Sequence, residues 1–197
     1  MTAGKKLPVR SSKQPVRSGS GSQQLPVQPQ SRAERCAAGK ALREACPREA
    51  HADWKAPADR RDAVELVLEA EKGRVPGLLP LRHGRMVRSA FTFYRGAALT
   101  MAADLASTPS SGIRVQCCGD AHLCNFGGFA TPERKVIFSI NDLDETLPAP
   151  WEWDVKRLAP SFVVACRDNG LSDAVARDTV LTCVRTYRES MAEFSRM

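Results

Sequence analysis

Residues 113–142 most constrain what this chain can fold into, because three short β-rich runs there are each punctuated by a loop bearing carboxylate or amide side chains. Ile113 to Cys118 is mostly apolar and reads as a buried strand that runs straight into Gly119-Asp120. Asn125 to Phe129 and Lys135 to Ile140 read as a strand pair closed by a turn at Thr131-Pro132-Glu133-Arg134, and the second strand ends at Asn141-Asp142. One hairpin thus brings two loops together. The first carries Asp120 and Asn125, five residues apart, and the second carries Asp142 and Asp144.

Helical patterns flank the strands on both sides, so the fold class is α+β. Val64, Leu66, Val67 and Leu68 fall close to one helical face, with Gly73 as the stop, and Pro76 to Pro80 reads as an extended connection. Gly96 to Ala106 presents Ala97, Met101 and Leu105 at four-residue steps, the pattern of a core helix, which makes Arg95 the residue that opens it. Trp153 to Asp168 reads as a helix stopped by Gly170, with Pro160 expected to kink or shorten it. Ser172 then caps a last helix, Asp173 to Arg196. Its stripe of Ala176, Val180, Val184, Tyr187, Met191 and Phe194 needs a partner surface, inside the chain or by self-association.

The formal net charge of +7 would point to an acidic partner if it were spread over the fold. It is concentrated at one end: Lys5, Lys6, Arg10, Lys13, Arg17 and Arg32 have no acidic neighbour between Met1 and Ala33. With four prolines and a Ser-Gly run, that leader reads as a disordered, solvated tail rather than a nucleic-acid or membrane arm. Residues 34–59 follow as a linker or weak helix, and residues 60–197 form the folded domain. No apolar run reaches the length of a membrane span or a secretory signal, so the simplest address is the cytoplasm. Seven cysteines without a Cys-x-x-Cys pair fit reduced thiols. A metal cluster of Cys117, Cys118, Cys124 and His122 is disfavoured by spacing.

Phosphoryl transfer from a nucleotide needs a carboxylate to accept the hydroxyl proton and hard oxygen ligands to hold a magnesium ion against the phosphates. Asp120, Asn125, Asp142 and Asp144 supply those groups. Each alone is an ordinary turn or capping residue; their joint order and spacing are what suggest chemistry. Asp, four residues, Asn and a strand pair leading to a further Asp is similar to the catalytic loop of protein kinases and of aminoglycoside or choline phosphotransferases.

A wider set of motifs agrees: Leu79-Pro80-Leu81-Arg82-His83-Gly84-Arg85-Met86, Phe93-Tyr94-Arg95-Gly96, Cys118-Gly119-Asp120-Ala121-His122, Asn125-Phe126-Gly127, Asn141-Asp142-Leu143-Asp144 and Trp151-Glu152-Trp153-Asp154-Val155-Lys156-Arg157. Together they resemble the bacterial family known as domain of unknown function 2252, grouped with the protein-kinase-like superfamily. The resemblance implies a partial protein-kinase-like fold with Mg2+ and ATP as cofactors. It implies Asp120 as proton acceptor, Asn125, Asp142 and Asp144 as metal ligands, and an acceptor of unknown identity. Arg95 is the phosphate-binding candidate, ahead of Arg82 and Arg85. His122 reads as a structural loop histidine, Asp154 as a helix cap or a brace for the catalytic loop, and Arg157 as a partner for a neighbouring acid.

Two departures qualify the resemblance. Leu143 follows Asp142 where kinases have Phe-Gly, and no glycine-rich strand-turn-strand with a lysine precedes Asp120. The chain therefore reads as a fragment whose nucleotide segment lies past Met197. The rival reading is a non-catalytic binding or interaction module that keeps the loop as a fold-defining feature.

Overall fold

The computed structural model describes residues 30–52 and 54–197, so residues 1–29 of the tail read over Met1 to Ala33 lie outside the described residues. Ser31, inside the span read as tail, already caps a helix, α1 (Arg32–Ala45): its hydroxyl accepts from Glu34 N at 3.2 Å, and the Glu34 carboxylate accepts from Ser31 N at 2.7 Å. Nothing in α1 is buried.

Four short helices build the next layer. In α2 (Ala63–Ala70), capped by Asp62, Leu66 and Val67 are buried while Val64 and Leu68 face solvent, so the covered face differs from the expected one. An eight-residue helix offers only a narrow strip, and α5 (Ala98–Leu105) covers just that strip. Pro76 to Pro80 is not extended. Pro76–Leu78 makes a 3-10 turn that runs into α3 (Leu79–Met86), with Pro80 in the first helical turn, where its missing N–H leaves no hydrogen bond unmade.

The helix expected over 96–106 is α5, which starts two residues later, at Ala98, and a further helix, α4 (Ala90–Gly96), precedes it across Ala97. At the end of α4, Gly96 lies so close to Met86 that a Cβ there would meet the sulfur at 2.7 Å. Arg95 sits in the last turn of α4 instead of opening a helix. Val67, Met86 and Ala97, with Phe93 against them, form the small core that ties these helices together.

The strands make two separate two-stranded antiparallel sheets. In one, β2 (Phe126–Ala130) pairs with β3 (Val136–Ile140), with Phe126 opposite Ile140, as the alternating sequence and the intervening turn predict. The other pairs β1 (Arg114–Cys117) with β4 (Leu147–Pro150), Cys117 opposite Leu147. Only Cys117 of β1 is buried, against the expectation of a buried strand, because a two-stranded sheet has few neighbours to cover it.

Two long helices close the domain. α6 (Glu152–Asp168) continues through Pro160 and ends at Gly170, whose φ of +70° lets Leu171 N donate back to Cys166 O at 2.9 Å. α7 (Asp173–Phe194), capped by Ser172, packs along α6. Ala176 is buried there and Tyr187 stacks on Trp151 with centroids 5.8 Å apart, but Met191 and Phe194 stay 50% and 59% exposed. The described residues thus form a mixed α+β fold, and no helix among them is long and apolar enough to cross a membrane.

Candidate functional site

Everything at the site hangs from one face of α6. Asp154, Arg157 and Ser161 recur at helical spacing, so their side chains share a face. That face holds residues 118–123 in chain order. Asp154 accepts from Cys118 N at 2.8 Å and from Gly119 N at 3.0 Å. Arg157 donates to Asp120, and Ser161 Oγ accepts from Leu123 N at 3.0 Å. Asp154 is therefore a brace for the loop.

Gly119 is where the chain leaves β1. Its φ is +82°, and a Cβ there would lie 1.9 Å from the carbonyl oxygen of Glu145. Only glycine permits both the left-handed backbone and so close an approach. A 3-10 turn at Leu123–Asn125 then leads into β2.

Asn125 staples the two carboxylate loops. Its amide nitrogen donates to Asp120 O and to Asp142 O, both at 3.0 Å, and its amide oxygen accepts from Asp142 N at 3.0 Å. It is 4% exposed and does not line the cleft. The structure thus places it between the loops, away from the position expected of a metal ligand, because its amide oxygen faces a backbone N–H.

Asp120 is held by a buried cation. Both Nε and Nη2 of Arg157 reach its Oδ1, at 2.6 and 2.5 Å, leaving Oδ2 for the cleft. Arg157 is 2% exposed, lies 4.6 Å over the Tyr94 ring and donates to Tyr94 O at 2.8 Å. The Tyr94 hydroxyl donates back to Arg157 O at 2.6 Å, and burial pushes its pKa up to about 12 although the nearby guanidinium pulls the other way. It stays protonated, as that bond requires.

His122 is buried beside this pair. Its Nε2 lies 3.6 Å from Asp120 Oδ2, too far for a hydrogen bond, and its Nδ1 has no partner. Burial lowers its pKa; Asp120 opposes the shift, and Arg157 and Arg95 add to it. Neutral imidazole is therefore the folded-state form. The unfolded chain, with an ordinary histidine, binds the extra proton first, so stability falls as pH drops below about 6.5 towards the depressed folded value. We expect urea midpoints to fall between pH 7 and pH 5, and His122→Gln to flatten part of that slope. An unchanged slope in the variant would show that other groups carry it.

These residues open on a cleft of about 680 Å³. Five acidic or imidazole side chains, Asp120, His122, Asp142, Asp144 and Glu145, and four arginines, Arg74, Arg82, Arg85 and Arg95, line it together. Asp142 and Asp144 are exposed, and Asp142 Oδ1 accepts from Asp144 N at 3.1 Å, which fixes the tight loop between them. Arg74 pairs with Glu145 at 3.4 Å. Arg82 donates to Gly96 O at 2.6 Å and faces buried Glu71 at 3.7 Å; Glu71 also holds His83 at 2.5 Å.

The cysteines do not gather with His122. Cys117 Sγ turns to the carbonyls of Ala149 and Pro150, Cys118 Sγ to Asp142 O, and Cys124 is exposed. Among the described residues no group of three His, Cys, Asp or Glu side chains is placed to hold a metal ion.

Four residues singled out in the sequence, Asp120, Asp142, Asp144 and Arg95, line this one cleft, and the clamp of Tyr94 on Arg157 was left unseen. The signal available for Arg157 was its spacing, three residues after Asp154 and four before Ser161, which sets it on the same helical face. No curated protein and no solved structure matches the chain. The family model for "uncharacterized protein conserved in bacteria (DUF2252)" matches residues 74–197, which include the loop, its staple, its brace and the α6 face, and the chain belongs to that family.

Proposed function

We propose that the domain is a kinase-like phosphotransferase that uses Mg2+ and ATP, with Asp120 as the acceptor of the hydroxyl proton and Asp142 and Asp144 as the metal carboxylates. The observation that carries this reading is the cleft itself, where two carboxylate loops, stapled by Asn125 and braced by α6, share a lining with four arginines. Two exposed carboxylates fit magnesium, which is commonly held by one or two carboxylates together with substrate phosphates and water. Bound there, the ion would neutralise charge developing on the transferred phosphoryl group. Arg157 fixes the direction of the Asp120 carboxylate, so Oδ2 is the oxygen placed to receive a proton. Arg95 lines the same cleft and would take a phosphate.

Titration of the full chain with Mg-ATP, read by calorimetry alongside phosphate release, tests this. Asp142→Asn should weaken Mg-ATP binding at least about tenfold, and removing Mg2+ should do the same. Asp120→Asn should leave binding within about threefold of wild type and lower turnover by about 100-fold or more, because a lost base affects the transition state more than the ground state. Equal Mg-ATP affinity in wild type and Asp142→Asn would remove the proposal.

One observation favours a second reading, a non-catalytic binding module. Gly119, Asn125, Asp154 and Arg157 all serve to hold the loop in shape. Nucleotide binding without phosphate release in any variant would support that reading.

A further inference from the structure

The arginine lining of the cleft has a charge imbalance. Arg74 is neutralised by Glu145, and Arg82 by Glu71 and the Gly96 carbonyl. Arg85 and Arg95 line the same cleft without a hydrogen-bond or ion-pair partner among the described residues. They are not placed by chance of surface decoration. Each is the sequence neighbour of a residue in the tightest contact between α3 and α4: Met86 follows Arg85, Gly96 follows Arg95, and the absent Cβ of Gly96 is what lets Met86 approach. The Arg82 side chain crosses the same junction to Gly96 O. The two backbone positions are therefore fixed relative to each other, while both guanidinium groups are free to turn into the cleft. Arg95 is close enough to His122 for its charge to disfavour the imidazolium, so its charge reaches the base of the cleft.

We propose that Arg85 and Arg95 form a subsite for a phosphate-type oxyanion in the cleft that Asp142 and Asp144 also line. A guanidinium presents a planar fork that matches phosphate oxygens, and two of them approaching from different helices hold a tetrahedral anion from two sides. The carboxylates of the same cleft would repel such an anion unless it carried or met a cation, which leaves the two unpaired arginines as its seat. A cationic acceptor would meet two uncompensated positive charges there, so the substrate class is anionic. The inference rests on the proposed reaction only for what the subsite serves; anion binding itself needs no metal and no transfer. The oxyanion has two sources, the terminal phosphate of the nucleotide or a phosphate borne by the acceptor.

The test is a titration of the full chain with inorganic phosphate in the presence of a chelator, followed by NMR of the arginine Nε–H and backbone amide signals. Saturable binding should appear by about 10 mM phosphate. Arg85→Ala and Arg95→Ala should each weaken it at least about tenfold, and both should keep the wild-type melting temperature, since neither side chain has a partner to lose. Asp142→Asn should bind phosphate at least as well as wild type, which separates this subsite from the proposed metal site. Mg-ATP, added to the phosphate-saturated protein with Mg2+ in excess over the chelator, then identifies the source: displacement assigns the subsite to the donor phosphate, and simultaneous binding assigns it to the acceptor. Absence of binding, or equal affinity in the wild type and both alanine variants, overturns the proposal.

Discussion

Gly119→Ala is expected to lose the native fold of the loop and to lower stability by more than about 4 kcal/mol, the range reached by few single substitutions. Two independent penalties coincide. The residue sits at φ +82°, a conformation that costs an alanine roughly 1–2 kcal/mol. The added methyl would also lie 1.9 Å from Glu145 O, a backbone atom in the loop that leads into β4, so relief requires separating β1 from β4. Urea unfolding followed by tryptophan fluorescence measures this directly. Gly170→Ala provides the control, because φ there is +70° but nothing lies within 4 Å of the added Cβ. It should cost about 1 kcal/mol. Similar losses at the two positions would mean that backbone conformation alone matters and that the Glu145 contact is relieved cheaply.

Arg157→Met ranks second, at about 3 kcal/mol, the lower end of what breaking a buried ion pair costs, because the Asp120 side chain keeps one-fifth of its exposure. Methionine keeps much of the volume but leaves Asp120 Oδ1 without its donor and Tyr94 O with Ala97 N alone. Arg157→Lys should recover only part of the loss: it restores charge, yet a single ammonium cannot serve both oxygens while lying over the Tyr94 ring. Adding Asp120→Asn to Arg157→Met should recover stability, since the stranded charge is gone. If the double variant is as unstable as the sum of the singles, the pair is not coupled and Arg157 acts through packing.

The parts of this fold legible in the sequence are those set by local chemistry. The β2–β3 hairpin was visible because β-rich runs flank a turn-forming segment, and the α6 and α7 termini because Gly170 and Ser172 punctuate them. β4 was hidden by its own prolines. Trp151 N donates to Ile113 O, so alternate residues of this strand face β1, and Pro148 and Pro150 both turn their missing N–H outward on the free edge. Sequence inspection treats two prolines in four residues as a strand breaker; only the pairing register shows that they are harmless. α4 was hidden for a different reason, since the contact that ties its end to the fold, Gly96 against Met86 ten residues earlier, leaves no periodic pattern in the sequence. At the site, the carboxylates could be named from spacing because loops at strand ends point one way. The role of Asn125 could not, because the same Asp-x-x-x-x-Asn spacing serves a ligand or a staple, and only the direction of the amide decides.

The match between α6 and the loop it grips also sets where this domain can change length. Three side chains on one helical face engage the loop in the same order as the chain runs. A residue inserted between Asp154 and Ser161 would rotate everything beyond it by about 100° and take Ser161 off Leu123 N. An insertion between Gly119 and Leu123 would slide the loop past fixed anchors with the same result. At the tip of the β2–β3 hairpin the case is reversed: Pro132 to Lys135 are exposed and anchor nothing in the cleft. Homologous chains that differ in length should keep the helix and loop spans invariant and place their added residues at that tip, much as a key varies in its bow and never in its cuts.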